Sequence, residues 1–433
     1  MSDPLLGGLG FLVVLVLIAL GFPVGIAMAV VGAGGYAILN GWFGAAFVLG
    51  SAPFEAVFPY SLSVVPLFIL MGIFAARAGL SRALYDAVYA FVGHRRGGLA
   101  MATVGACAGF GAICGSSLAT VATMGKVAMP EMRRRGYDEG LASASVAAGG
   151  TLGVLIPPSI ILVIYALMTG QSIGALFVAA LIPGLLGTLL YMASIAVQVR
   201  LRPGLGPAGE RLGWRARFAV LREVRGVALL FALVIGGIYL GWFSPTEAAA
   251  IGAFGAFLFA LLRGGLDRRV LSRCLLETAG TTGMIFLILI GAGLFNYFIE
   301  TSGLPHALTA WLDGAALGRF GILLLIMLFY LGLGCLMDSL SMILLTTPFI
   351  FPVIVDLGFD PVWFGVLLVT VVELGLITPP VGLNLFVIQG VDRQLRLPVI
   401  VRGILPFIAA DIVRLAILIL FPPLALWLPS LLY

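Results

Sequence analysis

The sequence predicts an all-α polytopic membrane protein, and three observations carry that prediction. Of its 433 residues 61% are hydrophobic and only 10% charged, whereas soluble domains carry roughly a quarter charged residues. Apolar stretches at 5–20, 182–199, 227–243, 283–299 and 404–428 are each close to the ~20 residues that cross a bilayer as helix. These runs are continuous and not alternating, which points to a helical bundle and away from a β-barrel. The formal charge of +5 gives no reason to expect a nucleic-acid partner, because the basic residues fall in short clusters between apolar runs.

Those clusters orient the chain. Arg77 and Arg82, Arg95 and Arg96, Arg133 to Arg135, Arg200 to Arg225, Arg263 to Arg273 and Arg393 to Arg402 are cytoplasmic by the positive-inside rule. The segments 40–60, 169–172, 244–247, 300–318 and 356–361 are then outside loops. Lys126, Arg319 and Arg414 are the exceptions. From an outside N-terminus the spans run near 5–20, 23–39 and 60–77, followed by a cytoplasmic amphipathic piece at 83–93. The first run has no basic residues before it and continues past Pro23 into a second one, so no cleavable signal peptide is expected.

The segment 97–132 is long enough to cross and return, yet both flanks are basic. It therefore enters from the cytoplasm and turns back as a re-entrant hairpin with GAICGSSLAT, 111–120, at its tip. Bilayer physics allows such a tip only where it is buried in protein or lines a polar cavity. The next span is interrupted at Pro157–Pro158, where two prolines remove donors and leave carbonyls without helical partners. After 182–199 comes the basic connector 201–225. Its Arg211–Arg225 part, with Trp214, reads as a helix lying on the cytoplasmic leaflet.

A shift of 222 residues then repeats the pattern. Pro23 meets Pro245, Ser117 meets Ser339, Pro130 meets Pro352, Gly136 meets Gly358, Asp138 meets Asp360, Gly153 meets Gly375, and Pro157–Pro158 meets Pro379–Pro380. The chain is read as a duplication: repeat 1–200 with its hairpin at about 97–132, the connecting helix 201–225, and repeat 226–433 with its hairpin at about 320–355. Each repeat holds five spans and one hairpin, about ten spans and two hairpins in all. Five is odd, so the second copy is inverted and both termini are periplasmic. Glu300, Asp313, Asp356 and Asp360 flank the second hairpin, consistent with entry from outside, its tip LGCLMDSLS meeting the first near the midplane. Inverted repeats with broken helices are a recurring plan of secondary transporters.

The breaks suggest chemistry. Freed carbonyls, with the hydroxyls of Ser116, Ser117, Thr120, Ser159, Ser339, Ser341 and Thr378, are the hard oxygens a small cation prefers. Half-helix N-termini offer amides to an anion. Asp338 is the one acid at a tip, and a charge at that depth is expensive unless used. Glu373 either faces Lys126 or lies near the site. Asn296 and Asn384 are polar ligands or interhelical hydrogen-bonding residues. The competing reading of GACAG and GAICG is close helix packing through small residues. GFGAICG is not a dinucleotide loop, since no strand pattern precedes it. Cys107, Cys114, Cys274 and Cys335 form no CxxC pair, and His94 and His306 sit at predicted helix ends. No catalytic residue, enzyme activity or cofactor is expected.

Taken together, PLFILMG at 66–72, AGLSRAL at 78–84, GGLA at 97–100, GYD at 136–138, IPPS at 156–159, SPTEAAA at 244–250, TTPFIFP at 346–352 and TPPVGLNLFV at 378–387 make the chain resemble the large membrane (M) subunit of TRAP (tripartite ATP-independent periplasmic) transporters. The resemblance implies an elevator transporter of the ion transporter superfamily in the bacterial inner membrane, with sodium as coupling ion and the only metal. It would act with a small four-helix membrane subunit (Q type), a periplasmic substrate-binding protein (P type), membrane lipid and a small organic anion such as a C4-dicarboxylate or sialic acid. Hairpins and broken spans would form the moving domain; the first two spans of each half, with the connector, the scaffold. The family's sodium sites map onto Gly115, Ser116, Ser117, Thr120, Pro157 and Ser159, and onto Asp338, Ser339, Thr378, Pro379, Gly382 and Asn384. Ser116, Thr120, Ser159, Asp338 and Asn384 are also candidates for substrate contact. One departure stands out: the family's first tip reads like SGSxxAD, whereas Cys114 and Thr120 here replace the leading Ser and the closing Asp. Rival readings are a stand-alone sodium–dicarboxylate symporter of the same superfamily, and a channel or membrane assembly factor.

Overall fold

A computed structural model of the chain describes residues 3–314 and 317–432, without the side chains of Val227 and Asp313. Asp313, one of the acids read as flanking the second hairpin, and the outermost ends of the two repeats thus lie outside the described set. The fold is helical. The first half runs α1 (Asp3–Ala19), α2 (Val24–Val57), α3 (Val64–Arg77), α4 (Leu80–Val92), α5 (Gly98–Cys114), α6 (Ser117–Arg134), α7 (Glu139–Leu155), α8 (Ile160–Thr169) and α9 (Ile173–Leu201). The second runs α10 (Trp214–Tyr239), α11 (Pro245–Leu262), α12 (Arg268–Thr301), α13 (Leu304–Gly314), α14 (Arg319–Gly334), α15 (Ser339–Asp356), α16 (Pro361–Ile377), α17 (Leu383–Val391) and α18 (Leu397–Leu420), with α19 (Pro423–Leu432) at the end.

Among the described residues, seven helical segments are long and apolar enough to cross a membrane, and the bent pair α7–α8, which turns by 41°, makes an eighth. The chain is an integral membrane protein, and large apolar side chains such as Phe43, Phe47 and Leu262 point outward, as lipid-facing surfaces require. Two stretches differ from the sequence reading. Within 40–60, read as a loop, the helix runs on to Val57 with Gly41 leaving helical geometry at φ +77°, and only Phe58 to Tyr60 lie beyond it; the apolar run after Gly41 (WFGAAFVL) keeps 42–57 helical. The basic connector is also no helix of its own, since the helix begins at Trp214 and continues into the apolar segment as α10.

Small residues set the helix crossings. Gly25, Gly32 and Gly291 let the backbones of α2 and α12 touch, for a Cβ on Gly291 would lie 2.1 Å from the Gly25 carbonyl oxygen. Gly111 of α5 meets Gly153 of α7, and Gly334 of α14 meets Gly375 of α16; a Cβ on Gly111 would fall 2.2 Å from the Gly153 Cα, and one on Gly334 2.9 Å from the Gly375 Cα. Arg414, out of place in the charge pattern, is fully buried and pairs with Asp411 at 2.8 Å. Asp411 also accepts a hydrogen bond from Tyr191 of α9. Such a pair tolerates loss of neither partner, because the survivor would be an uncompensated buried charge.

Candidate functional site at the two hairpin tips

Both tips follow from local chemistry. At the first, α5 ends when Gly115 turns left-handed at φ +63° and returns its N–H to the Gly111 carbonyl at 2.7 Å. Such a φ suits glycine, which has no Cβ to clash. Ser116 is then extended and caps α6, its Oγ accepting from the Ala119 N–H. At the second, Asp338 caps α15: it accepts from the Ser341 N–H at 3.1 Å and from the Ser341 hydroxyl at 2.6 Å. Ser116 and Asp338 occupy equivalent positions in the 222-residue register.

Each tip leans on a proline break. Both breaks, Pro157–Pro158 and Pro379–Pro380, contain a cis bond. A Cβ on Gly115 would lie 3.3 Å from the Pro158 carbonyl oxygen, and the Cys335 thiol reaches the carbonyl of Pro379 at 3.8 Å. Ser159 caps the short α8, accepting from the Leu162 N–H, while Gly382, at φ +59°, begins α17.

The tips face one cavity of about 370 Å³. Gly115, Ser116 and Ser117 line it from the first tip and Asp338 and Ser339 from the second; Glu373 of α16 and Glu277 and Thr281 of α12 complete its polar wall. The fully buried Glu373 accepts from Ser339 Oγ at 2.7 Å, with the Ser117 hydroxyl beside the same carboxyl, and its Oε2 has no partner. Lys126 is exposed on α6, so of the two alternatives for Glu373 the position near the site holds. The donor set is all oxygen, hydroxyl and carboxyl, and among the described residues one buried carboxyl oxygen lacks a hydrogen-bond partner; such a set fits a hard cation.

Of the residues singled out from the sequence, Cys114, Gly115, Ser116, Ser117, Asp338, Ser339 and Glu373 converge on this cavity, whereas Thr120, Pro157, Ser159, Thr378, Pro379, Gly382, Asn296 and Asn384 do not line it. Thr120 is fully buried and gives its hydroxyl to the Ser116 carbonyl at 2.7 Å; Thr378 does the same toward Leu374 at 2.6 Å. Pro157, Ser159, Pro379 and Gly382 stand at the breaks behind the tips. Asn384 reaches the site indirectly, donating to Ser117 Oγ at 2.8 Å and to the Ala147 carbonyl at 3.2 Å. Asn296 lies elsewhere, bonded to Glu300. Glu277 and Thr281 were invisible in the sequence, because they come from a span whose facing surface no periodicity marks; Glu277 also meets Arg77 at 3.6 Å.

Residues 11–424 match the family model described as Tripartite ATP-independent periplasmic transporter, DctM component. The chain is 39% identical over 378 residues to the C4-dicarboxylate TRAP transporter large permease protein DctM of Pseudomonas aeruginosa, covering 87% of this chain and 88% of that one. It is 33% identical over 417 residues to the ectoine TRAP transporter large permease protein TeaC of Halomonas elongata, covering 96% and 97%. Among solved structures, that of the Alcanivorax borkumensis YdaH transporter superposes with a TM-score of 0.60 at 15% identity over 99% of both chains, a likeness of fold alone.

Proposed function

The chain belongs to the DctM family and is a TRAP transporter large permease subunit, and we propose that it performs sodium-coupled uptake of a small organic anion delivered by a periplasmic binding protein. The observation that carries this reading is the pairing of two capped hairpin tips across one cavity. Hydroxyls of Ser116, Ser117 and Ser339 and the carboxylates of Asp338 and Glu373 would hold sodium there, and the bound cation together with the amide-bearing starts of α6 and α15 would attract a carboxylate. A volume of about 370 Å³ suits a ligand of a few carbons. The substrate class stays broad, because the named relatives carry C4-dicarboxylate in one case and ectoine in another.

An inverted repeat of about ten spans and two hairpins, moving as an elevator against a scaffold, is the architecture we assign to this cycle. In its favour, α5 to α9 and α14 to α18 follow the same order, of 17, 18, 17, 10 and 29 residues against 16, 18, 17, 9 and 24, and both halves cross glycine on glycine before the break. The charge clusters support periplasmic termini, and the family supports an inner-membrane location. Large permease subunits of this family work with a small membrane subunit and a periplasmic binding protein, which favours a tripartite assembly over a symporter acting alone, and opposed tips over a passive pore.

In proteoliposomes containing the partner subunits, uptake should require an inward sodium gradient and fall at least about tenfold, ~1.4 kcal/mol, in Asp338→Ala. Uptake that persists when potassium replaces sodium would sink the mechanism.

A further inference from the structure

Apart from the tips, the end of α4 carries a cluster of basic groups, with Arg95, Arg211 and Arg217 around His94. The connector folds over this end: the Gly209 N–H donates to the Gly93 carbonyl and the Gly97 N–H to the Gly206 carbonyl, both at 2.9 Å. Arg217, in the first turn of α10, is tucked into the junction with only 6% of its surface exposed. Its guanidinium carbon stands 5.6 Å from the Phe91 ring centroid and 4.9 Å from that of Trp214. Its Nε and Nη2 are buried without a hydrogen-bond partner, and so is Nδ1 of His94.

The neighbours worsen the imbalance. The imidazole of His94 is held below its usual range by desolvation first and then by the charges of Arg217, Arg211 and Arg95, so three guanidiniums crowd one histidine. Among the described residues no acid comes within ion-pair distance of Arg217. A buried guanidinium without a counter-ion is costly, and its planar fork of donors matches the oxygens of a phosphate.

We infer that Arg217 and His94, with Arg211 and Arg95 at the rim, form a binding site for a phosphate group. Trp214 and Phe218 stack beside it with centroids 6.2 Å apart, and both are exposed. Aromatic rings of this kind favour the membrane–water interface, so the phosphodiester of an anionic lipid is the source this position favours; inorganic phosphate is the other source of the same chemistry. A bound headgroup would tie the start of the second half to α4, and the site does not depend on the transport reading.

Native mass spectrometry of the full-length permease tests this, with phosphatidylglycerol, phosphatidylcholine and inorganic phosphate titrated separately. Wild type should bind phosphatidylglycerol more tightly than phosphatidylcholine, and Arg217→Gln should lose roughly tenfold of that affinity. Arg211→Gln, at the exposed rim, should lose less, and Arg215→Gln, an exposed arginine outside the cluster, nothing. Binding of inorganic phosphate that Arg217→Gln abolishes, without a lipid preference, would support the site with free phosphate as its ligand. The inference is overturned if wild type prefers neither anion, if Arg217→Gln binds as wild type does, or if Arg215→Gln loses as much. Should Arg217→Gln fail to fold, Arg211→Gln against Arg215→Gln decides in the same way, equal affinities counting against the site.

Discussion

The first and second hairpins share a register but differ in charge and in what they hold. Ser116 caps the first with a neutral hydroxyl; Asp338 caps the second with a carboxylate. The serine that follows each cap also differs in partner. Ser117 accepts from Asn384 of the other half, whereas Ser339 donates to Glu373 of its own. The two tips thus share a backbone plan but differ in chemistry, with Asp338 and Glu373 both on the second side. Thr120 of the first tip fits the same pattern: its hydroxyl serves the helix backbone rather than the cavity.

The largest expected asymmetry lies in the crossings beneath the tips. A methyl on Gly111 would meet the Gly153 Cα at 2.2 Å, against 2.9 Å for Gly334 and the Gly375 Cα. Backbone cannot step aside as a flexible side chain can, so Gly111→Ala should cost at least about 3 kcal/mol and Gly334→Ala about 1 kcal/mol. Thermal unfolding of the purified permease would show it; equal shifts would mean that the two crossings are not the distinct packings described above.

Next come the serines. Ser339→Ala leaves a fully buried carboxyl oxygen without its hydroxyl partner and should cost about 2 kcal/mol, Ser117→Ala, which leaves an amide hydrogen of Asn384 unpaired, about 1 kcal/mol. The same unfolding measurement checks the order, and a reversed order would shift the weight of the site to the first tip. The smallest difference should be in the caps. Ser116→Ala and Asp338→Ala each lose one cap, about 1 kcal/mol, and should melt alike although both lower uptake, the loss of the Asp338 carboxylate more than the loss of the neutral Ser116 hydroxyl. Asp338→Asn, which keeps an acceptor for the Ser341 N–H, should restore stability without restoring sodium dependence, read from uptake against a sodium titration.

Much of the fold was legible because membranes constrain it so tightly. Helices were the one solution for long continuous apolar runs, and the tips and both proline breaks could be placed because glycine and proline act through their own backbone geometry. The boundaries at 40–60 and 201–225 were misread for a physical reason: both were drawn from the placement of charges, but charge placement does not outweigh the apolar sequence that carries the helix on to residue 57 or from Trp214 to Tyr239.

Composition, charge clusters and the 222-residue register were enough, by themselves, to settle that this chain is helical, membrane-embedded and built with polar breaks. They could not say which polar groups meet. Glu373 against Ser339, Asn384 across the halves to Ser117, Arg414 with Asp411 and Arg217 between Phe91 and Trp214 join residues far apart in the chain or turned toward faces that no local period marks. Local backbone preference is written residue by residue, whereas the partner of a buried charge depends on which helices pack against it, and that is fixed only when the whole bundle has closed.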